Sequence, residues 1–198
     1  MAAASRFGVP GPREDEAPLL LQVEDVFSIA GRGTVVTGTI LRGVVKVGDR
    51  VELVGLRETV PTARVGGVEM FQRTLDRATV GDNVGVLLTE LTKEQVERGM
   101  VLAKPGSIIA TREFAAELRF ENGFSGMESS SGASSALFEL RGAHIKGEFA
   151  VATGSLRALP GESARVEVRL DRPIAIEPDV KLRLFEGTRT IAIGRVLE

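Results

Sequence analysis

The stretch that decides the fold runs from residue 23 to residue 38 and reads VEDVFSIAGRGTVVTG. Residues 19–29 and 34–41, on either side of its centre, are rich in the β-branched and aromatic residues that favour strands. Between them, Gly31-Arg32-Gly33 supplies the glycines that a turn with positive φ needs. The pattern predicts a β-hairpin.

Further short strand candidates follow the hairpin, with turn signals between them at Val47-Gly48-Asp49, Val65-Gly66-Gly67 and Val80-Gly81-Asp82. Many short strands at this spacing favour a closed barrel, because closure removes exposed sheet edges. One helix of about two turns is predicted near residue 95, since Thr92 and Gln95 fit a capping box and Gly99 fits a C-terminal stop.

A second β-rich block follows Pro105-Gly106 and extends to the end of the sequence. Apolar and charged residues alternate in residues 165–170 and 180–184, which is the period of half-buried antiparallel strands. Glu186-Gly187 is predicted to form the hairpin turn between the last two strands. Residues 1–18, by contrast, are rich in Pro, Gly and acidic residues and are predicted to be flexible.

Several ordered segments resemble the second domain of elongation factor Tu and its relatives among translational GTPases: residues 23–38, 44–52, 67–71, 80–88 and 97–106. Residues 171–176 and 185–190 resemble the close of the family's third domain, whereas residues 120–136 are Ser- and Gly-rich where the family is basic and aromatic. Residues 9–13 resemble the linker that follows the family's GTP-binding domain.

The resemblance implies an all-β protein made of two consecutive antiparallel β-barrels. A flexible linker would occupy residues 1–18, a domain-2-like barrel residues 19–106, and a domain-3-like barrel residues 107–198. The GTP-binding domain is expected to be absent.

Composition narrows the classes of function. The chain has 198 residues, a net charge of −2, one histidine and no cysteine, so disulfides and thiolate chemistry are excluded. No apolar run approaches the ~20 residues that cross a bilayer. We expect a cytoplasmic protein with no membrane or DNA partner, in which any RNA contact comes from a local patch.

The residues for catalysis are also missing from the sequence. A GTPase needs the phosphate loop GxxxxGK followed by Ser or Thr, and no Gly-Lys pair occurs in the chain. His144 is the only imidazole, and the acidic run Glu14-Asp15-Glu16 is typical of a solvated linker rather than a metal site. We therefore predict no enzyme activity, no cofactor and no metal.

The resemblance also implies a binding site for the 3′ end of aminoacyl-tRNA. Its implied residues are Glu24, Asp25, Phe27, Thr37, Gln72 and Asn83, with Ile29, Val35 and Leu87 as apolar residues near the adenine. Carboxylates suit this site because they accept hydrogen bonds from ribose hydroxyls and from a free α-amino group. The family usually has Arg at the position of Gln72, so one cationic contact is lost unless Arg73 substitutes.

Three hypotheses follow, and the sequence leaves them open. The chain is a translation module that binds aminoacyl-tRNA or a ribosomal surface; in the family the nucleotide domain clamps the tRNA end, so binding without it should be weak. Alternatively, it docks on a separate GTPase or another partner without binding RNA, and the pocket residues are inherited scaffold. As a third possibility, it is a fragment of a longer factor. No tRNA-stem contacts are expected from residues 123–132, which lack Lys and Arg.

Overall fold

The structure is a computed structural model that describes residues 15–122, 133–151 and 161–197. The predicted flexible segment 1–18 lies mostly outside these ranges, as does the Ser- and Gly-rich segment 123–132. Within them the chain forms strands, turns and one short 3-10 helix, and no α-helix. The prediction of an all-β fold is confirmed.

The first barrel is built from nine strands: β1 (Leu20–Ile29), β2 (Gly33–Arg42), β3 (Val44–Lys46), β4 (Arg50–Val54), β5 (Thr62–Met70), β6 (Arg73–Leu75), β7 (Arg77–Thr79), β8 (Asn83–Thr89) and β9 (Val101–Ala103). Six of them close in the order β4-β9-β1-β2-β8-β5, with β5 pairing back onto β4. Strand β6 extends β5, and β3 pairs with β7 as a separate ribbon.

The second barrel is built from six strands: β10 (Ala110–Phe120), β11 (Ala133–Leu140), β12 (Ala143–Val151), β13 (Ser163–Ala175), β14 (Lys181–Glu186) and β15 (Arg189–Val196). They close in the order β10-β13-β12-β11-β14-β15, and all neighbours are antiparallel. Gly187, at φ 60°, lies in the predicted turn between β14 and β15. The prediction of two consecutive antiparallel barrels is confirmed.

The predicted two-turn helix near residue 95 is wrong in length. The structure has a single 3-10 turn, Lys93–Gln95, although the predicted cap is present because the Thr92 N–H donates to Gln95 Oε1 at 2.9 Å. The chain becomes extended at Val96, which is buried in the core. Burial of this β-branched side chain ends the helix before a second turn forms.

A β-bulge shapes the first hairpin. The pairing of β1 with β2 shifts between Val23–Gly38 and Asp25–Thr37, so that Glu24 is the extra residue on β1. Only glycine fits at position 38, because a Cβ there would lie 1.8 Å from the carbonyl oxygen of Gln22. The bulge turns Glu24 toward the outside of the barrel, the side to which Asp25 already points.

The interior of each barrel follows from the alternation of apolar and polar residues along the strands. In β8 the residues Val84, Val86 and Leu88 are buried, while the residues between them face outward. The second barrel has an aromatic centre in which Phe149 lies 6.1 Å from Phe120 and 6.3 Å from Phe138, measured between ring centroids.

The two barrels share a small apolar layer of buried side chains: Leu20, Val54, Val101, Ala103, Ile108 and Ala175. Beside this layer the Leu56 N–H donates to the Pro173 carbonyl at 2.6 Å. Arg172 donates through Nε to the Leu56 carbonyl at 3.0 Å and through a terminal nitrogen to Glu97 at 2.9 Å. Backbone and side-chain hydrogen bonds and an ion pair thus join the barrels in addition to the apolar layer.

A second polar contact between the barrels centres on Glu177 of the second barrel. Its carboxylate bonds Arg42 of β2, and it lies 3.7 Å from the buried Arg141. Arg141 also donates through Nε to the Ala175 carbonyl at 2.9 Å. Burial lowers the pKa of Arg141, and the charge of Glu177 opposes that shift.

We predict that Glu177→Gln lowers the free energy of unfolding by about 1–3 kcal/mol, because it removes the carboxylate that faces the buried Arg141 guanidinium. Urea denaturation measures the change. The matched control is Glu113→Gln, which breaks an ion pair with Arg169 whose two side chains are 72% and 76% exposed, and which should have almost no effect. Equal effects of the two substitutions would contradict the role assigned to Glu177.

Candidate ligand-binding face of the first barrel

The candidate site is formed by the outward-pointing residues of β1, β2, β8 and β5, which we call the outer face. Strand register orders these residues in rows across the sheet. One row contains Asp25, Thr37, Gly85 and Glu69, and the next contains Phe27, Val35, Leu87 and Gly67. Residues far apart in sequence are therefore neighbours.

A polar network lies at one end of the outer face. The Thr39 hydroxyl donates to Glu24 Oε1 at 3.0 Å. The side-chain amide of Asn83 donates to Glu24 Oε2 and to the Thr39 hydroxyl oxygen, each at 3.1 Å. Both oxygens of the Glu24 carboxylate are thus fixed, and the Asn83 amide nitrogen is engaged within the network.

Apolar side chains cover the other end of the outer face. Phe27 is 53% exposed and Ile29 is 38% exposed, and both belong to β1. Val35 and Leu87 are half-buried partners in the row of Phe27. Large apolar groups are exposed to solvent here, beside the end that is rich in carboxylates. The outer face therefore offers both an apolar and an acidic surface, as an amphipathic ligand requires.

The floor between these two ends is formed by glycine. A Cβ added at Gly85 would lie 3.6 Å from Val35 Cγ1 and 3.9 Å from Thr37 Cγ2, which are ordinary contact distances. Gly85 itself therefore places no side chain over the backbone of β8, and it is half-buried between its neighbours. A planar group could approach the sheet there between the acidic and the apolar residues.

Gln72 lies outside the rows, in the two-residue turn that joins β5 to β6. The last pair between the antiparallel strands β5 and β8 is Glu69–Gly85. Two residues further along each strand in the same direction, Phe71 lies level with Asn83. The turn therefore flanks the end of the outer face where Asn83 lies. Arg73, the predicted substitute for a cationic contact, is exposed in the same hairpin.

The predicted site residues thus have three kinds of placement. Glu24 and Asn83 are directly hydrogen-bonded, Asp25 and Thr37 are cross-strand partners, and Phe27 lies in the next row. Gln72 joins the group only from the adjoining turn.

Sequence reasoning missed two residues of the outer face. Thr39 connects Glu24 to Asn83, and Glu69 adds an exposed carboxylate opposite Gly85. Glu69 could have been found from the alternation around Val68, which points inward. Thr39 had no such signal, since its contact with Glu24 depends on the bulge.

Other polar regions of the described structure are weaker candidates for a binding site. A cleft of about 1210 Å³ lies between the barrels, and two of its arginines are engaged in ion pairs: Arg195 with Asp179 at 2.7 Å and Glu117 at 3.2 Å, and Arg183 with Glu139 at 2.8 Å. These carboxylates raise the pKa of Arg195.

His144 is exposed and lies 6.1 Å from Phe185, measured between ring centroids. Within the described ranges no group of three or more His, Asp or Glu side chains could hold a metal ion. None of the helical structure described is long or apolar enough to span a bilayer.

We predict that Thr39→Val lowers the free energy of unfolding by about 1 kcal/mol, because Glu24 and Asn83 each lose a hydrogen-bond partner. In NMR spectra, the side-chain amide protons of Asn83 should exchange faster with solvent in the variant. Thr37→Val is the matched control for stability, since it makes the same change at the preceding outward position of β2. A Thr39→Val protein with the stability of the control and unchanged Asn83 signals would exclude the network.

A comparison with protein-family models finds a match that includes part of this face. The family described as Elongation factor Tu domain 2 matches residues 33–103, which run from β2 to β9. The match includes Thr37, Gln72 and Asn83, and β1 adds Glu24, Asp25 and Phe27 to the same closed barrel. A second closed barrel follows it, as the resemblance to elongation factor Tu implied. Residues 33–103 of the first barrel are thus similar to elongation factor Tu domain 2, and the two closed barrels in tandem fit an elongation factor Tu-like arrangement.

Proposed function

We propose that this protein is a translation module that binds the 3′ end of aminoacyl-tRNA on the outer face of its first barrel. The observation that carries the proposal is the hydrogen-bonded network of Glu24, Thr39 and Asn83 beside the exposed ring of Phe27. The match of residues 33–103 to elongation factor Tu domain 2 supports a role in translation in general.

The chemistry of the outer face suits this ligand. The carboxylates of Glu24, Asp25 and Glu69 accept hydrogen bonds, and with its amide nitrogen engaged Asn83 has its carbonyl oxygen left as a further acceptor. Ribose hydroxyls and a protonated α-amino group are donors that match these acceptors. Phe27 and its apolar neighbours would cover the adenine and the amino-acid side chain.

We propose that the protein acts by binding alone and has no enzyme activity. The sequence has no phosphate loop, and its one imidazole, His144, lies against Phe185 rather than in the outer face. Binding would be weaker than where an arginine occupies the position of Gln72, since Gln72 supplies no positive charge. Such a module would work in the cytoplasm, where charged tRNA is used.

A second candidate function is docking on a separate GTPase or another translation partner without RNA. The observation in its favour is the exposed apolar surface of Phe27 and Ile29, which a protein could cover as well as a nucleotide. The two candidates differ in whether the aminoacyl group is recognised.

We predict that the protein binds aminoacyl-tRNA more tightly than uncharged tRNA. Glu24→Ala and Asn83→Ala should each reduce that preference about 10-fold or more, because each removes a hydrogen bond to a charged group. Calorimetric titration at two salt concentrations measures this, and the salt dependence should be shallow because few phosphates are contacted. Glu113→Ala, an exposed acid of the second barrel, is the control. Absence of tRNA binding at low salt would reject the proposal in favour of protein docking.

Gly85, between the acidic and the apolar residues of the outer face, can be substituted to test whether a ligand contacts β8. Gly85→Ala should leave stability unchanged or slightly raised, since the new methyl group would meet its nearest neighbour at 3.6 Å and alanine is less costly than glycine in a strand. The methyl group would occupy the space above β8, so binding of aminoacyl-tRNA should weaken severalfold. Thermal unfolding and the same titration test both parts. Unchanged affinity in a stable variant would show that the ligand does not reach this floor.

A further inference from the structure

The cleft between the barrels takes residues from both of them. Leu41 of β2 lines it from the first barrel and Ile193 of β15 lines it from the second. Its volume of about 1210 Å³ is large enough for a small-molecule ligand, for which pockets of roughly 300–1,000 Å³ are usual. Neither Glu24 nor Asn83 lines the cleft, so it is separate from the polar network of the outer face.

The carboxylates that line the cleft are all paired with arginines. A ligand that enters the cleft therefore does not meet an unneutralised acid. The pairs are Glu177 with Arg42 and Arg141, Glu139 with Arg183, and Asp179 and Glu117 with Arg195.

Two cations of the cleft have no such partner. Arg119 of β10 and Lys181 of β14 are exposed, and neither forms an ion pair with any described residue. Six cationic and four anionic side chains line the cleft, so it has an excess of two positive charges. A ligand with two negative charges is the electrostatic complement of this excess.

Strand register places an apolar side chain between cations on the wall of the second barrel. Ile193 is directly opposite Arg183 of β14 on one side and Arg119 of β10 on the other. Ser163 of β13 follows Arg119 in the same row, and Lys181 is two residues from Arg183 along β14. Cross-strand neighbours of this kind lie about 4.5–5.5 Å apart between Cβ atoms. Cationic, apolar and hydroxyl groups are therefore available to one small ligand.

The exposed apolar side chains of the cleft indicate that its ligand also has an apolar part. Leu41 is 42% exposed and Ile193 is 41% exposed, so both can bury further apolar surface against a bound molecule. A long polyanion such as an RNA backbone is a poorer match, because the acids of the ion pairs would repel its successive phosphates.

We infer that the cleft between the barrels binds a small organic dianion with an apolar body, such as an aryl phosphate or an aromatic dicarboxylate. Arg119 pairs with the anionic group, since a planar guanidinium can donate two parallel hydrogen bonds to a phosphate or a carboxylate. Lys181 supplies the second positive charge, and the Ser163 hydroxyl is a further donor. Leu41 and Ile193 cover the apolar body from the two barrels.

An NMR titration with phenyl phosphate tests the inference, at about pH 8, above the second phosphate pKa of about 6. The backbone amide signals of Leu41 and Ile193 should shift together with one dissociation constant, because the ligand contacts both barrels. Inorganic phosphate lacks the apolar body and phenol lacks the charge, so each should bind about 10-fold more weakly or worse. Inorganic phosphate that binds as tightly as phenyl phosphate would overturn the inference.

A parallel titration with benzene-1,3-dicarboxylate distinguishes the two sources of the negative charge. Binding of either probe with shifts at both residues supports the site, and the tighter probe identifies its preferred anionic group. If neither probe shifts the two signals, the inference is overturned.

Variants of the two unpaired cations locate the contact. Arg119→Gln and Lys181→Gln change exposed side chains, so the melting temperature should be unchanged, while each should weaken phenyl phosphate binding about 10-fold. Arg50→Gln is the matched control, because Arg50 is an exposed strand arginine that does not line the cleft. Equal effects of Arg119→Gln and Arg50→Gln would show a general attraction between charges and would exclude the site.

Leu41→Ser tests the contribution of the first barrel. It should reduce the preference for phenyl phosphate over inorganic phosphate and leave the affinity for inorganic phosphate unchanged, since only the apolar contact is lost. An unchanged preference would contradict the assignment of the apolar body to this wall.

The inference does not depend on the proposed function, and the Glu24→Ala variant shows this. Because Glu24 does not line the cleft, Glu24→Ala should bind phenyl phosphate like the wild type. A protein that binds aminoacyl-tRNA but neither organic dianion would retain the proposed function and lose this inference.

Discussion

The close approach of Gly38 to the carbonyl oxygen of Gln22 is the constraint on which the outer face depends. Without a side chain at residue 38, β1 and β2 can pair around an extra residue, and that residue is Glu24. The bulge brings two consecutive carboxylates to one side of the sheet, where a regular strand would direct one of them inward. One missing Cβ thus determines which acids meet Thr39 and Asn83.

Much of the fold could be predicted from the sequence because it depends on local patterns. The Gly31–Gly33 turn and the alternation in residues 165–170 require only glycine chemistry and the two-residue period of a strand. The helix near residue 95 was predicted too long because its start signals are local, whereas its end is set by the burial of Val96. Tertiary packing overrode the local preference.

The candidate site was less predictable, and for a physical reason. The hairpin turn itself sets Asp25 beside Thr37, but the site also needs Thr37 beside Gly85 of β8, and no local pattern reveals the pairing of strands so far apart in sequence. Thr39 was missed altogether, since its role exists only once the bulge has turned Glu24 outward. The resemblance indicated which side chains form the site, whereas their relative positions depend on the backbone pairing.

The apolar layer shared by the barrels has a consequence for how the protein can be divided. Leu20 and Val101 of the first barrel are nearly inaccessible, but in the small apolar cluster that includes them Ile108 and Ala175 belong to the connection and to the second barrel. A first barrel produced in isolation would expose this apolar surface to water and tend to self-associate. The tandem, rather than either half, is the smallest piece that is expected to stay dispersed in solution.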